Sequence, residues 1–171
     1  MRKATIVKDI VEALGDDNTL GLKYIDKDWG QLNAEQPAVG FPCALIDIAS
    51  MEYSELGNNW QNGVATVTVR VANNRTNASS AHAPRAAKDL SYLTLELCEA
   101  INLKLQGFNG AHDPSQYAPM VRTGFYKMED GLKFECYEMR YRTSYKVPPT
   151  QAETHEVNDI RVGIRLKPIP S

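Results

Sequence analysis

The sequence of 171 residues lacks an excess of charge of either sign and lacks a long hydrophobic run. Its 19 basic and 21 acidic residues give a net charge of −2, which argues against nucleic acid as the main partner because such proteins usually carry a basic excess. No apolar stretch approaches the roughly 20 residues that cross a bilayer. Charged residues interrupt the segment after the basic start, so no signal peptide is predicted. A hydrophobic fraction of 43% then predicts a soluble, cytoplasmic, globular protein.

Paired cysteines are also missing. Cys43, Cys98 and Cys136 are far apart, form no C-x-x-C motif and lie in apolar segments. We therefore predict that all three are buried free thiols in a reducing compartment. The N-x-S/T patterns at Asn74 and Asn77 are interpreted as polar loop residues, because no secretion signal accompanies them.

Catalytic motifs are absent as well. The sequence has no glycine-rich phosphate-binding loop, no H-E-x-x-H and no G-x-S-x-G. Its histidines, His82, His112 and His155, fall in segments that read as loops, and no spacing pairs them as metal ligands. The sequence therefore predicts no catalytic residue, no metal and no cofactor, and a protein that is not an enzyme.

One enzymatic alternative stays open. Asp47, Glu52 and Glu135 could serve a metal-dependent nucleic-acid-processing enzyme. Such a core also needs a carboxylate followed by a lysine two residues later on a strand. Here Lys133 precedes Glu135, which is the reverse order.

Two segments show helical periodicity. Apolar residues from Ile6 to Leu14 predict a helix of about three turns that Thr5 caps. A longer helix is predicted to follow Pro84 and to end at Gly107. Its apolar stripe is predicted to face the core throughout, and consists of Leu90, Leu93, Leu97, Ile101 and Leu105.

Four segments are typical of β-strands, and they predict two antiparallel hairpins. The first hairpin joins residues 43–49 and 64–71 through a long loop at 50–63, after a possible short strand at 20–25. The second joins residues 120–127 and 132–147. The apolar phase of the last strand changes after Cys136, which predicts a β-bulge or a crossing from core to interface.

The chain is divided by Pro148-Pro149 into a domain at 1–147 and a C-terminal arm at 148–171. Residues 160–167 alternate, which predicts a strand that pairs with a sheet edge in its own subunit or, as the favoured alternative, at a subunit boundary. Its apolar side is predicted to be an interface and consists of Val162, Ile164 and Leu166. Its basic side is predicted to face an acidic partner or a DNA channel and consists of Arg161, Arg165 and Lys167.

Two further groups are predicted to lie at interfaces. Apolar residues stranded in the polar 50–63 loop would form a contact element, unless the loop folds back over its own sheet; they are Met51, Tyr53, Leu56 and Trp60. A tyrosine- and arginine-rich stretch suits protein contacts, or stacking on single-stranded nucleic acid; it contains Tyr137, Arg140, Tyr141 and Arg142.

The order of these segments resembles that of the phage tail terminator (tail completion) family. The resemblance covers roughly residues 3–147 and contains no diagnostic motif. It rests on the helix at 6–14, Phe41–Ile46 leading into the first hairpin, Val67–Ala72 closing it, the helix at 90–105, and Tyr137–Arg142 in the last strand.

The resemblance implies an α+β fold, with a mixed or mostly antiparallel sheet and two helices packed on one face. It also implies a non-catalytic virion protein, made in the host cytoplasm, that forms a homo-oligomeric ring, as a hexamer, and caps the tail tube. The implied partners are the tail tube protein and a neck or connector protein, with non-specific DNA contact in the channel and no membrane. A neck or head–tail connector ring component is the alternative within this class.

Overall fold

The computed structural model describes residues 3–34, 36–74, 80–110, 113–128 and 134–149. They form two helices and one five-stranded sheet with the strand order β1-β2-β3-β5-β4. The elements are α1 (Lys3–Gly15), β1 (Tyr24–Lys27), β2 (Cys43–Gly57), β3 (Trp60–Asn74), α2 (Arg85–Leu105), β4 (Val121–Met128) and β5 (Phe134–Val147). β1 is parallel to β2, and the other neighbours are antiparallel. The mixed α+β fold predicted from the sequence is confirmed.

Both helices pack on one face of the sheet, which we call the helix face. The strongly alternating strand β3 explains why, because Ala65, Val67, Val69 and Val71 are all fully buried on this face. Ile6 and Ile10 of α1 are buried in the same cluster. The predicted capping role of Thr5 is wrong: α1 begins at Lys3, so Thr5 lies inside its first turn.

The apolar stripe of α2 is buried over only half of its length. Leu97, Ile101 and Leu105 lie in the core, as predicted. Leu90 and Leu93 are 56% and 43% exposed, so the prediction is wrong for them. The helical period determines which side of a helix is apolar. It does not determine how far the sheet that covers this side extends along the helix.

The predicted loop at 50–63 is instead a hairpin of paired strands, which we call the ribbon, and β5 pairs with its β3 strand as far as Gln61. β2 continues to Gly57, and a two-residue turn leads straight into β3 at Trp60. Both turn residues, Asn58 and Asn59, have positive φ angles of 51° and 62°. Asparagine tolerates this conformation, which matches the twist of a tight hairpin turn. The asparagine and glycine residues that predicted a loop therefore lie in a tight turn and at the exposed ends of the two strands.

The phase change in β5 marks two cores on opposite faces of the sheet. Tyr137, Met139 and Tyr141 join the cluster on the helix face, whereas Phe134 and Cys136 join a smaller cluster on the other face, which we call the far face. The register of β5 against β3 has no shift. The irregularity lies in β4 instead, between Arg122 and Gly124, so the predicted bulge is not in β5.

Several predictions fall outside the described residues. These are the turn at 129–131, Lys133, His112 and His155, and the strand at 160–167 with its six named side chains. The sheet's last strand ends at Val147, directly before the proposed domain boundary at Pro148. In the described part of the chain, no helix is long and apolar enough to span a membrane.

An ion pair connects the segment after α1 to the end of α2. The Lys104 ammonium lies 2.8 Å from the Asp17 carboxylate, which also accepts hydrogen bonds from the Thr19 N–H and hydroxyl. The Lys104 and Thr19 hydrogen bonds lower the pKa of Asp17 to about 2. The carboxylate therefore favours the charged form in the folded protein.

Because of this ion pair, the free energy of unfolding is expected to fall at low pH. Because the pKa of Asp17 is lower in the folded than in the unfolded chain, its contribution is present above about pH 4 and is lost as the pH falls towards 2. We expect Asp17→Asn to be less stable than the wild type at pH 6, with the difference shrinking at pH 2.5. Urea unfolding at both pH values measures this, and an equal difference at both would contradict the assignment.

Candidate interaction surfaces

The three carboxylates of the enzymatic alternative do not come together. Asp47 and Glu52 pair with Thr68 and Val64, whose side chains lie on the far face. Glu135 pairs with Asn73, which places its side chain on the helix face. Within the described residues, no group of three or more His, Cys, Asp or Glu side chains could hold a metal ion.

The cysteines are buried and free, as predicted. Burial raises the pKa of Cys43 to about 11 and the pKa of both Cys98 and Cys136 to about 12. Thiols with such high pKa values contain almost no thiolate at neutral pH, so they are poor nucleophiles. His82 is exposed in the turn that precedes α2.

The end of the β2–β3 ribbon carries exposed apolar side chains. Leu56 and Trp60 are 53% and 41% exposed, and they line a shallow depression with Gly57, Asn58 and Lys146. We call Leu56 and Trp60, with the turn between them, the tip surface. Two large apolar side chains beside each other in solvent are typical of a contact site.

Met51 and Tyr53 lie nearer the core than the tip surface does. Met51 is half-buried against the apolar cluster on the helix face, while Tyr53 is exposed. The Tyr53 hydroxyl lies 3.1 Å from the Tyr145 hydroxyl, and the Tyr145 hydroxyl lies 3.4 Å from the Met51 sulfur. Burial and the Tyr53 hydrogen bond raise the pKa of Tyr145. These contacts connect the base of the ribbon to β5.

A glycine in β3 permits this arrangement. A Cβ atom at Gly63 would lie 2.7 Å from the ring of Tyr145, so only glycine lets the ring cover the strand. We expect Gly63→Ala to lower the free energy of unfolding by about 1–3 kcal/mol through overpacking. Urea unfolding measures the loss. Gly15→Ala has no atom within 4 Å of the added Cβ and is the control; equal losses at both positions would contradict this explanation.

Two of the tyrosines predicted at an interface are part of the subunit's core. Tyr141 is fully buried, and its hydroxyl donates to the Asn102 side chain at 3.2 Å. Tyr137 is nearly buried, and its hydroxyl donates to Glu135 at 2.9 Å. Burial and the Glu135 carboxylate raise the pKa of Tyr137 to about 12. Buried in their own subunit, these two side chains offer little surface to a neighbouring subunit.

The far face carries a network of charges that sequence reasoning missed. Glu138 is buried and accepts a 2.7 Å hydrogen bond from Arg140, while Arg70 lies 3.5 Å away. Arg70 also pairs with Asp28 at 3.1 Å, which connects β3 to the segment after β1. The available signal was Arg70, the one charged residue in β3, together with Glu138 and Arg140 two positions apart in β5.

The edge strand β4 displays a second apolar surface. Val121, Phe125 and Tyr126 are exposed on it, and we call them the β4 surface; the register places Val121 and Tyr126 on the far face and Phe125 on the helix face. The Phe125 ring stacks on Tyr137 with centroids 5.2 Å apart, and the Arg140 guanidinium lies 4.5 Å above the Tyr126 ring. These contacts hold the two rings in place while leaving part of each exposed. Arg142, on the same side of the sheet as Arg140, is also exposed.

Comparison with known proteins finds similarity in structure and none in sequence. No protein-family model matches the chain, and no curated protein matches its sequence. Among solved structures, the chain is similar to a protein from the virion of a native gene transfer agent particle, with a TM-score of 0.55 and 9% identity. The similarity covers 84% of this chain and 96% of that one. At this identity the comparison establishes a shared fold.

Proposed function

We propose that this protein is a structural virion component that assembles into a ring and caps a phage-type tail tube. The observation that carries the proposal is the pair of separate apolar surfaces, at the ribbon tip and along β4, on one sheet. A subunit of a layered ring needs surfaces for its neighbours in the ring and another surface for the next layer of the particle. The segment order and the fold shared with a virion protein support the same class.

The β4 surface is the proposed contact between subunits. Aromatic residues held in place lose little conformational freedom on binding, and aromatic and arginine side chains are enriched at interfaces. Tyr126 with Arg140 above it supplies this combination. A contact between this edge and a different surface of the next copy is heterologous, and such contacts form a ring when the rotation from copy to copy closes. We propose a hexamer, following the family resemblance.

The tip surface is the proposed contact with the tail tube. It lies at the end of the ribbon, where residues 56–60 extend past the last residue pair between β3 and β5, Gln61 and Val147. A side chain at such a position reaches another layer without disturbing the sheet. A neck or head–tail connector ring remains the alternative, in which the tip contacts a connector protein instead.

One experiment separates the two surfaces. Val121→Glu places a charge in the β4 surface, and we expect a folded monomer by size-exclusion chromatography with light scattering. Trp60→Ala with Leu56→Ser should form the ring but fail to bind purified tail tubes in a sedimentation assay. Leu103→Glu is the control, because this leucine is 81% exposed and lies outside both surfaces.

The proposal has clear contrary outcomes. A wild-type protein that stays monomeric at high concentration would contradict the ring. A ring that binds purified connector but not tail tubes would favour the alternative. Metal-dependent cleavage of nucleic acid that Asp47→Ala abolishes would replace the structural role with the enzymatic one.

A further inference from the structure

The outer edge of β2 is unpaired over most of its length in the described structure. β1 pairs only with Cys43–Ile46, and one more hydrogen bond joins the Asp28 N–H to the Ile46 carbonyl at 2.8 Å. From Asp47 to Gly57 the edge meets no strand among the described residues. A free edge presents backbone donors and acceptors that readily pair with an added strand.

A groove lies beside this free edge on the helix face. It has a volume of about 830 Å³ between α1 and β2. Its apolar lining includes Val7 and Val11 from α1, and Ile48, Met51 and Tyr53 from β2. These side chains meet no covering element within the described part of the chain, although several of them contact the core at their other side.

The two faces of β2 differ in chemistry along this edge. The register places Ile48, Met51 and Tyr53 on the helix face, because their partners in β3 are Val67, Ala65 and Gly63. Asp47 and Glu52 lie on the far face. A strand added here therefore meets apolar side chains on one side and carboxylates on the other.

We propose that residues 160–167 of the same subunit add to this free edge as an antiparallel strand. The segment alternates with the required chemistry: Val162, Ile164 and Leu166 on one side, Arg161, Arg165 and Lys167 on the other. In one orientation the apolar side faces the groove and the basic side lies on the far face, with Arg165 or Lys167 beside Glu52. A shift by one residue would reverse both matches, so the alternation determines the orientation.

Direction and reach both permit pairing within one subunit. β2 and β5 are each antiparallel to β3, so both run towards the ribbon tip, and a chain returning from Val147 runs antiparallel to β2. The new position is three strand spacings from β5, about 14 Å. Residues 148–159 extend to about 40 Å at most, which leaves enough chain to pass around the tip. A tether of this length gives the segment of the same chain a high effective concentration at the edge.

Cysteine pairs test the placement and its alternation. One cysteine replaces Tyr53 in the groove or Glu52 on the far face, and the other replaces Ile164, Leu166, Arg165 or Lys167. Mild oxidation of the full-length protein should join Tyr53→Cys to Ile164→Cys or Leu166→Cys, and Glu52→Cys to Arg165→Cys or Lys167→Cys. The native cysteines are buried, with pKa values raised to 11 or above, and should not compete. Non-reducing gels and peptide mass spectrometry identify the disulfides.

Hydrogen exchange gives a second, independent readout. Amides of residues 48–57 should exchange faster in a chain truncated after Thr150 than in the full-length protein, while amides of β3 at 65–71 stay unchanged. Arg165→Glu should reproduce part of this increase, and Arg165→Lys should not. Faster exchange confined to the β2 edge, together with disulfides within one chain, supports the proposal.

The contrary outcomes are equally specific. Disulfides between chains, visible as a ladder of oligomers, would overturn placement within the same subunit in favour of an exchanged arm. If Tyr53→Cys cross-linked equally well to Ile164→Cys and to Arg165→Cys, the proposal that residues 160–167 form a strand at this edge would be wrong. Unchanged exchange at 48–57 after truncation would show that residues 160–167 do not cover this edge. None of these readouts depends on ring formation or tube binding.

Discussion

Replacing Glu138 with alanine is expected to lower the free energy of unfolding by about 2–3 kcal/mol. Glu138 is buried between two arginines, at 2.7 Å from Arg140 and 3.5 Å from Arg70. Breaking a fully buried pair costs about 3–5 kcal/mol, because the remaining charge loses its partner without regaining water. Both guanidinium groups are partly exposed here, so water compensates some of the loss.

The matched control for this prediction is Glu99→Ala. Glu99 also pairs with an arginine, Arg122, at 3.2 Å, but its side chain is 63% exposed. Exposed pairs contribute about 1 kcal/mol or less, so the control should change little. Urea unfolding of both variants, followed by circular dichroism, measures the difference. Equal effects would mean that burial of Glu138 does not determine its contribution.

Ile101→Ala is expected to destabilise the protein by about 2–5 kcal/mol. Ile101 is fully buried where α2 meets the sheet, so its truncation removes apolar contacts and leaves a cavity. The loss should appear as a lower midpoint of urea unfolding with an unchanged slope. An effect below about 1 kcal/mol would contradict the tight packing of α2 at this position.

Leu90→Ala is the control for that prediction within the same helix. Leu90 belongs to the same apolar stripe but is 56% exposed. Surface substitutions of this kind usually change stability by less than about 0.5 kcal/mol, and alanine is the best helix former. A large loss at Leu90 would show that another part of the protein or of an assembly covers the start of α2.

The interiors of the long strands and helices were predictable from the sequence, whereas the position of β1, at Tyr24–Lys27 instead of 20–25, and the exposure of Leu90 and Leu93 were not. The alternation in β3 and the stripe of α2 determine which side chains face the core, because period is a local property of the chain. The three buried cysteines and the two hairpins were predictable for the same reason. The ribbon was not predictable from the sequence. Its exposed residues, from Ser54 to Gln61, have the composition of a loop, and they form strands only because β2 pairs with β3.

The sequence by itself determined that this protein combines two helices with two β-hairpins, and that residues 160–167 alternate between apolar and polar side chains. Tertiary structure alone decided that Glu135 lies on the face opposite Asp47 and Glu52, that Glu138 joins Arg70 and Arg140, and that β2 keeps a free edge beside a groove. These features depend on strand order and register. Order and register arise from contacts between residues far apart in the chain, which local patterns do not encode.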